Sequence, residues 1–413
     1  MKMMKRCGLA IAVVALSLQF TSCVKTQVTK EITMAVPQFM KLDDYYASLR
    51  MQSPREITNP GKFVLYGNYM LLQDNFKGIH IIDVSGSAYN KIGFIPAGNA
   101  HDMAMKNNML YLDCSDELVT LNLTDINNIS LANRQQNVFS SNNMPTTANN
   151  EIFIGYRYVD TIVNEDILPN YQYYSGYYVD VNTANMSASL GGGGGNIIST
   201  GGSMARFCIV NNYLYCVDRT RLLTYNISNV AQPSSSAVAN LTWGIETIYP
   251  MADKLFIGSQ TGMYIFSIAN PQAPVQEGMF SHARVCDPVI AEGNLAYVTL
   301  RSGTTCQGFT NQLDVVNISD VTKPTLIKSY DLTNPHGLSK KGNTLYICDG
   351  ASGLRIMNVT TADAVTIEKT LALEGVAYDC ISSGDKLFVS TNKGLFAFDN
   401  STASAPTQLY QIK

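Results

Sequence analysis

Charged side chains are scarce in this chain of 413 residues: Asp, Glu, Lys and Arg make up 15% of it, and hydrophobic residues 46%. That balance is typical of a globular protein and excludes a disordered one. The net charge is −3, and no cluster of Lys and Arg stands out. Because an acidic surface repels a phosphate backbone, the composition argues against a nucleic-acid partner.

Long apolar runs are also missing: after the N-terminal leader, no segment reaches 18 apolar residues. At the N-terminus, the basic hexapeptide MKMMKR precedes an apolar stretch over 8–20, and small residues then lead to Cys23. This order predicts a lipoprotein signal peptide over 1–22 with diacylation of Cys23, although an ordinary signal peptide would have a similar pattern. Residues 23–37 are then a predicted tether. We expect an outer-membrane lipoprotein of the cell envelope, on its periplasmic or surface face.

Complete catalytic motifs are absent as well. The glycine run 191–195 lacks the Gly-Lys-Ser/Thr ending of a P-loop, and no G-x-S-x-G occurs. The string S-x-x-K at 383–386 falls in a predicted hairpin turn, where no buried base would support the serine. The four histidines form neither H-x-H nor H-E-x-x-H. We therefore expect no cofactor and no metal, and no motif indicates a reaction.

What the chain does contain is internal repetition. Residues 78–84 read GIHIIDV, and residues 353–359 read GLRIMNV. Related strings recur with a base period of about 41 residues, and their sixth positions are Asp83, Asn122, Asp180, Asn226, Ser267, Asn317, Asn358 and Asp399. Each unit also holds short β-branched and aromatic runs separated by Gly and Asn pairs, which suit tight hairpin turns. Four short antiparallel strands per repeat indicate the blade of a β-propeller.

The repeat predicts an all-β fold, a β-propeller of about eight four-stranded blades over 57–413. The third unit, within 145–200, is irregular, and a propeller of seven blades is the alternative if that unit forms no blade. The GIHIIDV-type strand is apolar on both faces. This suits a strand that neighbouring blades cover from both sides.

A short helix is predicted ahead of the repeats, in the segment 38–56. Apolar residues recur there at helical spacing, namely Phe39, Leu42, Tyr46 and Leu49. We expect this helix to pack on the outside of the propeller or across one of its faces.

The units resemble the LVIVD repeat, which is named for a hydrophobic strand that ends in Asp. The repeat is seen here as HIIDV, YVDV, VVNI and IMNV, and the resemblance covers about 57–413. The segments GGSMARF, SHARVCDP, VTLRSGTTC and NPHGL also resemble lipidated, secreted members of that family. The resemblance implies a β-propeller of the cell envelope and implies no established reaction.

Ionisable residues recur at the start of the first strand of the predicted blades. In a propeller the first strands line the central channel, so these side chains are predicted to ring one mouth and form a ligand site. The predicted ring consists of His101, Asp102, Arg206, Glu246, Asp287, His336 and Asp379. Arg284 and Arg301 flank the same end, where their charge suits a carboxylate or uronate-like group. Unligated histidines are favoured over a metal site.

Nine cysteines are present, and one pair has a predicted role beyond the lipid site at Cys23. Cys286 opens one strand, and Cys306 follows the next strand of the same hairpin. Antiparallel pairing returns both to one end of the blade, so a disulfide bond between them is feasible in the envelope.

Three functions fit these features. The first is a lipid-anchored propeller, expected to be a monomer, that binds a glycan, another ligand or an envelope protein at the channel mouth. The second is a polysaccharide hydrolase or lyase that uses the same mouth, and the third is a structural subunit of a surface complex. Fold alone does not choose between them.

Overall fold

The computed structural model describes residues 29–139, 150–164, 171–174, 177–180, 199–281, 288–302 and 311–413. Its strands form seven four-stranded blades arranged in a ring. The prediction of an all-β propeller with a short N-terminal helix is confirmed. The number of blades is seven, which was the alternative to the preferred eight.

The chain enters the fold through strand β1 (Thr29–Lys41) and helix α1 (Leu42–Ser48). Blade 1 contains β2 (Pro60–Tyr66), β3 (Tyr69–Asp74), β4 (Gly78–Asp83) and β5 (Asn90–Ile95). Blade 2 contains β6 (Ala100–Lys106), β7 (Met109–Cys114), β8 (Glu117–Asn122) and β9 (Ser130–Gln135). Four strands separate it from blade 3: β10 (Glu151–Asn164), β11 (Tyr171–Tyr174), β12 (Tyr177–Asp180) and β13 (Thr200–Gly201).

The remaining five blades follow one another along the chain. Blade 3 contains β14 (Phe207–Val210), β15 (Tyr213–Val217), β16 (Arg221–Asn226) and β17 (Ser234–Asn240). Blade 4 contains β18 (Ile245–Met251), β19 (Lys254–Ser259), β20 (Gly262–Ser267) and β21 (Val275–Ser281). Blade 5 contains β22 (Val289–Glu292), β23 (Leu295–Leu300), β24 (Gln312–Asn317) and β25 (Thr325–Asp331). Blade 6 contains β26 (Leu338–Lys341), β27 (Thr344–Cys348), β28 (Leu354–Asn358) and β29 (Thr366–Leu371), and blade 7 contains β30 (Ala377–Ser383), β31 (Lys386–Thr391), β32 (Gly394–Asp399) and β33 (Thr407–Ile412).

The first strands of the blades line the central channel. Each of them contacts the next blade around the ring, and blade 1 also contacts blade 7, so the ring closes. Buried hydrophobic side chains form seven clusters, one at each interface between neighbouring blades. The core is thus distributed around the ring, and each blade is stabilised by the two blades that cover it.

The repeated GIHIIDV-type string is the third strand of a blade, and it is buried along most of its length. It begins with Gly78 in blade 1 and Gly353 in blade 6, both at positive φ. A Cβ atom at either glycine would overlap a carbonyl oxygen of the fourth strand, Ile95 or Leu371. The repeated glycine therefore allows the close approach of the last two strands.

The polar residue that ends this string accepts a hydrogen bond from the backbone two residues further on. The carboxylate of Asp83 accepts from the amide of Ser85 at 2.9 Å, and Asn358 accepts from Thr360 at 2.9 Å. Asp, Asn and Ser can all form this local turn, so the interchange of these residues among the units has a structural explanation.

The irregular third unit pairs with the N-terminus and does not form a blade of the ring. Strand β10 is antiparallel to β1 over the whole length of β1, and β12 is parallel to β1 at Met34. These strands form a separate sheet in the order β10-β1-β12-β11. Because its strands pair outside the ring, this unit adds no eighth blade, and residues 29–37 of the predicted tether are part of a sheet.

Helix α1 packs against the interface between blades 1 and 2. Tyr45, Tyr46 and Leu49 are buried in the hydrophobic cluster of that interface. The Tyr45 hydroxyl donates to the Cys114 thiol at 3.7 Å, and the guanidinium of Arg134 lies 4.2 Å from the Tyr46 ring centroid. In the part of the chain that the structure describes, no helix is long and apolar enough to cross a membrane.

A segment over 199–206, which we call the crossing segment, runs across the channel before blade 3. It pairs with Met105 of blade 2 and then, through β13, with Val64 and Leu65 of blade 1. On the far side, the amide of Leu338 in blade 6 donates to Ser203 Oγ at 2.8 Å. The crossing segment therefore ties blades 1, 2 and 6 together inside the channel. It also lines a cavity of about 370 Å³.

Candidate functional site

The predicted ring lies where the first strands begin, and four of these strands are irregular there. Pairing of the first strand with the second skips residues in blades 1, 2, 4 and 7. A β-bulge of this kind re-aims side chains, and here it lies beside the channel. Five predicted residues lie outside the described residues, so their positions are not discussed: Cys23, Arg284, Cys286, Asp287 and Cys306.

Asp102 belongs to an ion pair that the sequence prediction did not include. Its Oδ2 accepts a hydrogen bond from the ammonium of Lys62, and both side chains are almost fully buried. The same oxygen accepts from the amide of Arg206 at 2.9 Å. Burial raises the pKa of Asp102, and Lys62 opposes that shift. Asp102 therefore links the first strands of blades 1, 2 and 3.

Asp379 lies in a narrow slot on the inner face of blade 7. A Cβ atom at either Gly202 or Gly337 would overlap its carboxyl oxygens. Oδ1 accepts a hydrogen bond from the amide of Cys380 at 2.9 Å, and the amide of Ser203 also interacts with this carboxyl. Burial raises the pKa of Asp379 to about 7. Its contacts on both sides indicate that Asp379 positions the crossing segment.

Both ring histidines are held in an uncharged state at neutral pH. Burial lowers the pKa of His101 to about 4, with Lys62 and Arg206 adding repulsion, and it lowers the pKa of His336 to about 3. The ring of His336 also makes an edge contact with Tyr378, 5.4 Å between centroids. Within the described ranges, no three His, Cys, Asp or Glu side chains come together as they would around a metal ion.

Three arginines are linked by electrostatic interactions with one another or with Glu246, and we call them the arginine cluster: Arg206, Arg219 and Arg301. Arg206 is only 4% exposed, yet neither Nε nor Nη2 has a hydrogen-bond partner among the described residues. Nη2 of Arg219 is also buried, and it has no hydrogen-bond partner in the part of the chain that the structure describes. Arg206 repels Arg219 and lowers its pKa together with burial. Two nearby cations with unsatisfied donors are an unusual arrangement in a protein interior.

Glu246 of blade 4 lies near two of these cations. It interacts electrostatically with Arg301 and Arg206, while burial raises its pKa. Its Oε1 accepts a hydrogen bond from Gln260 Nε2 at 2.8 Å. The arginine cluster thus has two of its three cations near one carboxylate that already has a protein partner.

The only tryptophan of the chain lies on the same rim. Trp243 is 61% exposed and sits in the connection between β17 and β18. The next residue, Gly244, donates its amide to the carbonyl of Arg219 at 3.1 Å, and its Cα faces the side chain of Gln260. Trp243 therefore directly precedes a residue that contacts Arg219 and Gln260, and much of its side chain is open to solvent.

The sequence prediction missed Lys62, Arg219 and Gln260, although two positional signals mark them. Lys62 occupies in blade 1 the position of Asp102 in blade 2, because each lies one residue before the first strand resumes its pairing with the second. Arg219, Gln260 and Arg301 share one position on successive blades: each lies five residues after an apolar residue of the second strand, namely Leu214, Leu255 and Ala296. A comparison of the residues that follow each second strand would have found this row.

The described cysteines are buried thiols. Cys114, Cys208, Cys216, Cys348 and Cys380 are all free. Burial raises the pKa of each thiol, for example that of Cys380. Because the thiolate is the reactive form, these residues are suited to packing and not to nucleophilic chemistry.

The fold and these repeats define the class of the protein. The model of the LVIVD repeat family matches residues 62–90 and 285–332. The chain is therefore a β-propeller of seven blades that contains LVIVD repeats at these positions. A comparison with curated proteins finds no match.

Several solved structures from other proteins have similar folds. Saccharomyces cerevisiae Sqt1 has a TM-score of 0.53 and 10% identity, covering 87% of this chain and 87% of its own. A Lactobacillus plantarum protein has a TM-score of 0.52 and 10% identity, covering 85% and 96%. A functionally unknown protein from Desulfotomaculum acetoxidans has a TM-score of 0.51 and 12% identity, covering 86% and 95%. At such identities the likeness shows the fold alone.

Proposed function

We propose that this protein is a binding scaffold of the bacterial cell envelope that holds a ligand at the channel mouth with the arginine cluster. One observation carries the proposal: the mouth contains buried hydrogen-bond donors that have no partner among the described residues. Two of these donors belong to Arg206. Such groups cost free energy in the unliganded fold. They are expected where a ligand supplies the missing acceptors.

Binding fits the site better than cleavage of a polysaccharide by a hydrolase or a lyase. An acid/base mechanism needs a carboxylate or imidazole free to exchange a proton with substrate. The described ring carboxylates accept hydrogen bonds from the protein: Asp102 from Lys62, Glu246 from Gln260 and Asp379 from Cys380. We therefore propose recognition of a glycan or another envelope component, by a monomer.

The location in the envelope is part of the same proposal. Its support is the basic and apolar leader followed by Cys23. Mass spectrometry of the protein purified from bacterial membranes should find an N-terminal diacylated Cys23, and the variant Cys23→Ser should be released into the soluble fraction. An unacylated N-terminus at another residue would contradict the anchoring.

The binding proposal is tested by thermal-shift screening of the soluble chain against a panel of envelope glycans and peptides. Ligands of the mouth should raise the Tm of the wild type and of Arg50→Gln, which changes an exposed arginine far from the ring. The same ligands should shift Arg301→Gln much less. Shifts that are equal in all three proteins would place binding elsewhere and reject the proposal.

A further inference from the structure

The two unpartnered nitrogens of Arg206 have a specific geometry. Nε and Nη2 lie on the same edge of a guanidinium, and together they form the fork that binds two oxygens of one carboxylate or phosphate. Both are buried and have no acceptor among the described residues. Arg219 adds a third unpartnered donor beside them. The arrangement is that of an anion site, because a shared anion would both satisfy the donors and offset the repulsion.

The charges around this site favour a single negative charge. Among the described residues, four cations stand with three carboxylates: Arg206, Arg219, Arg301 and Lys62 with Glu246, Asp102 and Asp113. His101 and His336 are uncharged at neutral pH and add nothing to the balance. The mouth is thus locally positive in a chain whose net charge is −3. Glu246 would repel the second charge of a phosphate dianion, whereas a carboxylate carries only one.

The neighbours of the arginines indicate what else the ligand carries. Glu246 and the amide oxygen of Gln260 are acceptors, and hydroxyl groups are suitable donors to them. Trp243 offers an exposed aromatic ring, and the next residue, Gly244, contacts Arg219 and Gln260. The C–H face of a sugar ring packs well on such a surface. A ligand with one carboxylate, several hydroxyls and a flat apolar face fits all three features.

We infer that the mouth binds a carboxylate-bearing sugar of the uronate type, with the carboxylate on Arg206 and Arg219 and a sugar ring on Trp243. This inference rests on the proposed function and specifies its ligand. A free sugar acid and an acidic polysaccharide present the same carboxylate to the arginines. They differ in the number of sugar rings that can contact the protein.

The test uses the fluorescence of Trp243, which is the only tryptophan and therefore reports on this rim alone. The soluble chain is titrated with galacturonate, with trigalacturonate, with neutral galactose and with inorganic phosphate. The two acidic sugars should change the emission with saturation, and galactose and phosphate should not. Tighter binding of the trimer would identify a polysaccharide as the source, and equal binding a free sugar acid.

Three variants complete the test. Arg206→Gln and Arg219→Gln should each weaken trigalacturonate binding roughly 10- to 100-fold, the loss expected when charged hydrogen bonds are removed. The control Arg50→Gln should bind like the wild type. Arg219 is less buried than Arg206, so it keeps the test valid if the Arg206 variant folds poorly.

The outcomes separate the two proposals. Equal binding of galactose and trigalacturonate, or acidic-sugar binding that both arginine variants leave unchanged, would overturn the assignment of a carboxylated sugar. The proposed function would then still stand if the thermal-shift screen finds another ligand whose Tm shift is abolished by Arg301→Gln. Failure of every ligand in both experiments would reject both proposals.

Discussion

Lys62 and Arg206 occupy equivalent positions on blades 1 and 3, and their surroundings give them different roles. Lys62 is paired with the Asp102 carboxylate inside the ring. The guanidinium of Arg206 has two donors without partners, although its backbone amide is bonded to the same Asp102. Residue type and position predicted that both Asp102 and Arg206 face the channel mouth. Whether such a side chain finds an ion-pair partner depends on the residues of the neighbouring blade. The sequence of a single repeat unit does not contain those residues.

Removal of the unpartnered charge should stabilise the free protein. We expect Arg206→Met to raise the free energy of unfolding by about 1–3 kcal/mol, because a buried cation with unmet hydrogen bonds is replaced by an apolar side chain of similar length. Chemical denaturation of the wild type, of Arg206→Met and of the exposed control Arg50→Met would measure it. A large loss of stability would show that Arg206 is a structural residue.

Asp379 should make stability depend on pH. Its pKa is about 7 when folded, against an ordinary value of 3.8. Between these values the folded state keeps a proton that the unfolded state has lost, so stability falls as pH rises from about 4 to 7. Asp379→Asn removes this dependence, and its stability relative to the wild type should increase by about 2–3 kcal/mol between pH 5 and pH 8. Denaturation curves at both pH values would measure this. Parallel changes in the wild type, Asp379→Asn and the exposed control Asp363→Asn would contradict the role given to Asp379.

Among the elements, the sequence predicted strands more accurately than their partners. The strings in the third unit are strands, namely β10 and β12, as their β-branched and aromatic residues indicated. Their partner is β1, more than 100 residues earlier, where the sequence prediction assigned a tether and the start of a helix. Composition favours a strand locally, but the choice of a distant partner depends on tertiary packing. The same limit explains why the crossing segment was not foreseen, since its glycines and serines have no periodic pattern.

The crossing segment should tolerate no side chain at Gly202. In Gly202→Ala the new methyl group would overlap the carboxyl of Asp379, and we expect a loss of about 1–3 kcal/mol of stability. Gly86→Ala, where the nearest atom to a new methyl group would be the Ala88 carbonyl oxygen at 3.3 Å, is the matched control. If the clash is the cause, the combination with Asp379→Ala should cost less than the sum of the two single changes. Strict additivity, measured by chemical denaturation, would contradict the contact.

Over the whole molecule, the ring closes without sharing a strand between its first and last blades. Blade 1 takes its four core strands from 60–95, and blade 7 takes all four from 377–412. Closure depends on a hydrophobic cluster between the two blades and on Lys386, whose ammonium donates to the carbonyls of Val84, Ser85 and Gly86. The period of the repeat predicted a ring of blades, but blade number and closure follow from contacts between the ends of the chain.

Loss of this closing contact should weaken the whole ring. We expect Lys386→Met to lower the free energy of unfolding by about 1–2 kcal/mol, because three carbonyl groups lose a charged donor. Lys369→Met, on the exposed last strand of blade 6, should have little effect. Equal unfolding curves for Lys386→Met and Lys369→Met would show that apolar packing alone closes the ring.

The central claim is that the arginine cluster is a ligand site and not part of the core. The most direct measurement is the Tm of the wild type and of Arg206→Met, each with and without trigalacturonate. The account predicts that Arg206→Met melts higher than the wild type without ligand, and that trigalacturonate raises the Tm of the wild type alone. A variant that melts lower than the wild type and still gains the same Tm from trigalacturonate would contradict it.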